Sequence, residues 1–330
     1  MLAGVLVLAG SCTPALALTT PADVPPALPQ SPASSPPDSS LAPVIVSAPE
    51  PRFVAPTRRD RIGRIWAPVY INGKGPFRLV LDSGASSSGV TMGVVRALGL
   101  TVDPKRQIFL RGVVGMLAVP LVRIHSLTVG DLSFGTTSLP IVADALGGAD
   151  GVLGTDGMAN RRILIDFHHD LITIARSHEQ RAPPGFITIP FQTLRHDLIV
   201  VDSWVGSVRV QAIIDTGGQS TIANLALRDA LQRQRSQLNS QPEQIEDVTT
   251  QTQSADSADA PPILIGSEIP GEGVKISNDR ITFGDMHIFE HWEMTRAPAM
   301  LVGMDTLGQL DILIIDYRLH ELQIRLNAAD

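Results

Sequence analysis

Residues 77–84, Phe-Arg-Leu-Val-Leu-Asp82-Ser83-Gly84, and residues 210–217, Val-Gln-Ala-Ile-Ile-Asp215-Thr216-Gly217, decide the fold. Each is a run of strand-type residues closed by Asp-Ser/Thr-Gly. One such triplet is weak: average residue usage supplies about one in every several chains of this length. Asp and Gly also suit an ordinary turn after a strand. Two triplets in one context make a repeat, and a repeat takes precedence over local readings. Trp66-Ala-Pro-Val-Tyr-Ile-Asn-Gly73 leads into the first and Val200-Val-Asp-Ser-Trp-Val-Gly206 into the second, with a glycine nine positions before each aspartate.

The repeat continues downstream. Thr128-Val-Gly130-Asp131 matches Thr282-Phe-Gly284-Asp285, and Gly151-Val-Leu-Gly154-Thr-Asp156 matches Met300-Leu-Val-Gly303-Met-Asp305. Leu164-Ile-Asp166-Phe167 matches Ile314-Ile-Asp316-Tyr317. The aspartates are 133 residues apart but Gly130 and Gly284 are 154 apart, so the second copy carries about 20 extra residues. Residues 237–262 are the expected place: Gln237 to Pro262 is polar, without helical or strand period, and reads as a mobile loop. Helix-like stretches follow each triplet, Met92 to Leu98 and Leu225 to Gln232; short strands make up the rest. Two β lobes are expected, residues 61–180 and 186–330, joined near Pro183-Pro184-Gly185.

The flanks and composition narrow the class. Leu2 to Gly10 is apolar but too short to span a bilayer, and Ala15-Leu16-Ala17 is an A-x-A cleavage pattern. Residues 1–17 are read as a signal peptide, though no Lys or Arg precedes the apolar run, and the protein as exported, periplasmic or secreted. Ala9-Gly10-Ser11-Cys12 loosely matches a lipoprotein box, the lesser reading because alanine stands where leucine is usual. Residues 18–60, rich in Pro, Ser and Ala, read as a disordered tether or pro-segment. Cys12 is the only cysteine, so the mature chain has no disulfide framework. A net charge of −7 and 4% aromatic residues argue against nucleic acid. No later segment is long and apolar enough for a membrane span.

The paired triplets, each followed by an apolar-apolar-Gly turn, resemble the retropepsin-like and pepsin-like aspartic peptidases. The resemblance runs from about Ile65 to Leu326 and is nearest to bacterial proteins with retropepsin-like lobes, here in tandem. It implies an all-β, bilobal acid-protease fold of two pseudo-symmetric, β-barrel-like lobes, each with a short helix. It also implies an aspartic endopeptidase with Asp82 and Asp215 as catalytic dyad, an extended polypeptide as substrate, no cofactor or metal, and activity as a monomer. Ser83 and Thr216 would brace the two loops against each other, and Gly154 and Gly303 would form the turns behind them. Gly84 and Gly217 let each loop turn tightly and aim N–H groups at the carboxylates. Arg111-Gly-Val-Val-Gly115 is the expected first flap tip. The second flap merges with the polar insertion, and neither Tyr70 nor Tyr317 stands at a flap position.

The chemistry fits these residue types. One carboxylate must be ionised to activate water and the other protonated to hydrogen-bond the scissile carbonyl. Two carboxyls sharing a site have their titrations pushed apart, an effect for which this enzyme class is the standard example. Ala85 and Gly218 follow the glycines where a serine hydroxyl could have favoured ionisation, so a mildly acidic to near-neutral working pH is expected. Asp156 and Asp305 are read as helix caps, and Asp166 and Asp316 as structural. His287-Ile-Phe-Glu290-His291 matches an inverted zinc-peptidase motif, but its β-branched and aromatic residues read as a strand, which cannot present both histidines on one face. A peptidase-like module that only binds peptides is the other alternative.

Overall fold

The computed structural model describes residues 52–56, 65–129, 132–178, 180–194, 198–234, 238–247, 249–269, 272–277 and 280–326. The expected signal peptide and most of the expected tether lie outside them. Arg52–Pro56, inside the expected tether, is a strand. It pairs antiparallel with Leu171–Arg176 at a sheet edge, where a terminal proline removes no ladder bond that matters.

That sheet is the centre of the molecule. Six antiparallel strands run in the order Arg52–Pro56, Leu171–Arg176, Arg161–Asp166, Leu310–Asp316, Glu321–Leu326, Ile187–Pro190, three from each half of the chain. The repeated Leu-Ile-Asp and Ile-Ile-Asp segments meet at its middle, Leu164 opposite Ile314, so a pseudo-twofold axis passes between them. Alternation buries Ile163, Ile165, Ile172 and Ile174 of one half with Leu313, Ile315, Leu322 and Ile324 of the other in one core. Arg162 crosses the axis to Asp316, its Nη1 3.1 Å from Oδ2, while the Ser177 hydroxyl donates to both carboxylate oxygens at 2.7 and 2.8 Å.

Each half adds its own sheet, of nine strands in the first lobe and ten in the second. The strand before each triplet, Lys74–Leu81 or Val208–Ile214, lies between a hairpin partner and a parallel strand, Gly151–Leu153 or Ala299–Val302. The apolar-apolar-Gly segment therefore sits beside the aspartate strand in both lobes. Short helices follow, Met92–Leu98 and Leu225–Arg233, the second capped by Asn224, whose side chain accepts from the Leu227 N–H at 3.0 Å. The chain is all-β and bilobal, as expected.

Three expectations are corrected. Residues 237–262 are not a structureless loop: Ser240–Glu246 and Thr252–Ala258 form a seven-pair hairpin. The side chains of its first strand are mostly exposed and polar, so composition suggested disorder, yet a ladder of backbone hydrogen bonds and the burial of Ala255 and Ala258 in the second strand hold it. The Thr128 and Thr282 landmarks are not equivalent. Leu127–Val129 pairs with Trp66–Ile71, a place taken in the second lobe by Ile263–Gly266 beside Leu198–Val205. Ile281–Phe283 runs parallel to Ile222–Ala223, matching Thr137–Val142 beside Gly89–Thr91. Finally, His287–His291 is a helix, not a strand. It lies between Phe283 and Ala299, the gap that the first lobe crosses in the shorter turn from Val142 to Gly151. Part of the extra length sits there.

Removing Asp316 leaves Arg162, whose side chain is 12% exposed, as an uncompensated charge at the lobe junction. Asp316→Ala should lower the unfolding free energy by about 3–5 kcal/mol, read from urea unfolding. A loss under about 1 kcal/mol would show that solvent reaches the pair.

Candidate active site

The two triplets meet across the pseudo-twofold axis. The Ser83 N–H donates to Thr216 Oγ1 at 3.0 Å, and the Thr216 N–H donates to Ser83 Oγ at 3.1 Å. Each hydroxyl then donates to a carbonyl of the opposite strand: Ser83 to Ile214 at 2.7 Å, Thr216 to Leu81 at 2.8 Å. All four bonds are buried, which makes each costly to leave unmade. They fix the two loops as one unit.

The aspartates are thereby brought together and share a side-chain hydrogen bond. Asp215 is buried, and Asp82 keeps part of its surface open. The Gly84 N–H donates to Asp82 Oδ1 at 2.8 Å; the Gly217 and Gly218 N–H groups donate to Asp215 Oδ1 at 3.0 and 2.9 Å. The glycines also make room crosswise. A Cβ at Gly217 would lie 2.2 Å from the Asp82 carboxyl carbon, and one at Gly84 2.8 Å from that of Asp215. Burial raises the Asp82 carboxyl well above the ordinary value, the Asp215 charge adds to this, and the Gly84 N–H opposes it. One carboxyl thus retains a proton beside one that can ionise, which is the division of labour that acid–base hydrolysis requires.

Gly154 and Gly303 close behind the loops. A Cβ at either would lie 2.6 Å from a backbone carbon of the dyad loop, Ser87 or Ser220, so no larger residue fits. Asp156 and Asp305 are structural, but not as the expected helix caps. Asp156 accepts the Ser88 N–H and hydroxyl at 2.7 and 2.6 Å; Asp305 accepts those of Thr221 at 2.9 and 2.7 Å. The same hydroxyls accept from the Gly154 and Gly303 N–H groups at 3.1 and 3.2 Å. This brace escaped the sequence reading, although a hydroxyl residue stands six positions after each aspartate.

The flap tips meet. Arg111-Gly-Val-Val-Gly115, expected as the first flap tip, lies at the turn of the hairpin of Val102–Arg111 and Met116–Ile124. The Ser240–Ala258 hairpin is the second flap. Val114 donates its N–H to Asp247 Oδ2 at 2.7 Å, and Gln251 Nε2 donates to the Met116 carbonyl at 3.2 Å. The Ile288 N–H, at the start of the helix peculiar to the second lobe, donates to the Val113 carbonyl at 3.1 Å. The Val113 side chain packs into an apolar cluster holding Ile288, Phe289 and Ile213. The first flap is thus fastened to the second lobe. On that helix His287 Nδ1 lies 3.8 Å from Glu290 Oε2, and among the described residues no group of three His, Cys, Asp or Glu is placed to hold a metal ion.

Residues 67–156 match the aspartyl protease family model. Among solved structures, basic 7S globulin from soybean superposes with a TM-score of 0.50 at 11% identity, covering 84% of this chain and 97% of its own. A retropepsin-like aspartic protease from Rickettsia conorii is 17% identical, with a TM-score of 0.30 over 40% of this chain and 98% of its own. No curated protein sequence matches the chain. The family match over residues 67–156 and the all-β bilobal fold support an aspartic-peptidase-like family for this chain.

Two outcomes are expected. Because the folded-state pKa of Asp82 is raised, its carboxyl stabilises the fold fully below the ordinary value of 3.8, and that stability is lost as pH rises through the folded value. The melting temperature of Asp82→Asn should therefore fall less over this rise than that of the parent; parallel curves would contradict the raised value. Val113→Ser should speed hydrogen exchange at the Val114 and Ile288 amides roughly tenfold, leaving the central sheet unchanged. Equal exchange in parent and variant would mean that the flap contact is not cooperative.

Proposed function

We propose that this protein is an aspartic endopeptidase active as a single chain, with Asp82 and Asp215 as its dyad. The observation that carries this reading is the pair of hydrogen-bonded carboxyls, one from each lobe, with Asp82 biased toward its protonated form. The ionised member takes a proton from a water molecule. That water adds to the scissile carbonyl carbon, whose oxygen receives a hydrogen bond from the protonated member. Collapse of the tetrahedral intermediate breaks the C–N bond, and the departing amine is protonated by the dyad. The nucleophile is water, so no acyl-enzyme forms. A polypeptide in extended conformation suits a site whose neighbouring hairpins offer main-chain groups that can pair as in an added strand.

Ala85 and Gly218 place no hydroxyl beside the carboxyls, which supports a working pH between mildly acidic and neutral. At Gly218 a Cβ would stand 2.8 Å from Asp215 Oδ2, so even a small side chain there would crowd the dyad. The apolar run before Ala15-Leu16-Ala17 supports export.

The test is cleavage of a diverse peptide library by the protein from Leu18 onward, beside Asp82→Asn and Asp215→Asn, from pH 3 to 8. Each variant should lose at least about 10²-fold in kcat/KM, and the parent profile should be bell-shaped. Activity that survives both substitutions and disappears with a chelator would replace this reading with zinc chemistry at His287 and His291. Peptide binding without turnover in the parent would make the protein a binding module.

A further inference from the structure

Away from the dyad, three arginines converge at one end of the central sheet. Arg161 and Arg176 stand directly opposite each other on neighbouring strands. Arg318 follows the next strand, and its Nη1 donates to the Ser177 carbonyl at 3.3 Å. Together with Ala159 and Asn160 these side chains line an open pocket of about 260 Å³. Like charges in directly opposed positions repel. Among the described residues, no acidic side chain pairs with Arg161 or Arg176, and Arg161 Nε is buried with no hydrogen-bond acceptor. Asp316, on the neighbouring strand of the sheet, is committed to Arg162, the Ser177 hydroxyl and the N–H groups of Arg318 and Leu319.

We propose that this pocket is an oxyanion site that takes a phosphate group. Two opposed guanidinium groups without a carboxylate partner, lining one pocket, suit a tetrahedral oxyanion, which arginine binds through several directed N–H groups at once. The occupant would relieve the repulsion between the two strands. Because Arg161 and Arg176 face each other at the open end of the hairpin next to the lobe junction, occupancy stabilises the central sheet without touching the dyad.

The test is thermal unfolding of the full chain in inorganic phosphate against sodium chloride of equal ionic strength. Phosphate should raise the melting temperature of the parent by roughly 2–4 °C near saturation, and should not raise that of Arg161→Gln/Arg176→Gln. In chloride alone, Arg176→Gln should melt higher than the parent, because one of the repelling charges is gone. Flotation with phosphatidylglycerol vesicles, run without free phosphate, separates the sources: arginine-dependent binding assigns the phosphate to a lipid headgroup, and no binding assigns it to a soluble anion. Identical melting of the parent in phosphate and chloride, or an equal phosphate response in the double variant, would overturn the site.

Discussion

Two carboxyl groups that repel one another are held within hydrogen-bond reach by four buried hydrogen bonds between Ser83, Thr216 and the strands behind them. Each loop is completed by the other lobe. Neither hydroxyl finds its carbonyl within its own half, so the site exists only when both halves are docked. The central sheet, with Arg162 reaching across to Asp316, keeps them docked. Without that rigidity, repulsion between the carboxyls would separate the loops, and the raised Asp82 pKa would relax toward its ordinary value.

The pseudo-symmetry is close at the dyad and weaker toward the rim. Ser88 with Asp156 and Thr221 with Asp305 repeat the same brace bond for bond, and Gly154 and Gly303 face the same obstruction. Farther out the halves diverge. Only the second lobe inserts the helix His287–His291, and this helix receives the tip of the first flap. Close contact imposes equal geometry on both lobes, whereas the flaps have freedom to differ. Gly112 and Gly115 mark the contact: a Cβ at either would run into Asp247 or Gln251 of the opposite flap.

Much of this was legible in the sequence. The triplets, the glycines nine positions before them and the apolar-apolar-Gly turns carry information because each is demanded by backbone geometry at one position: a close approach, a buried hydroxyl, a strand beside another. The errors arose where that demand is absent. Thr128-Val-Gly130 and Thr282-Phe-Gly284 look alike because strand ends share a composition, yet their partners are Trp66–Ile71 and Ile222–Ala223, which are not equivalent strands. The second flap was hidden because its ladder is held by backbone groups that every residue possesses.

The sequence by itself determined the paired triplets, the all-β bilobal class and the identity of the aspartates that meet, since each is written in local residue order. Only the tertiary structure decided which carbonyl each hydroxyl reaches, where Asp156 and Asp305 direct their oxygens, and how the flaps fasten. Those are contacts between residues about 66 to 175 positions apart. Their partners are selected by how sheets stack and cross a twofold axis, and no local pattern along a chain encodes that distance.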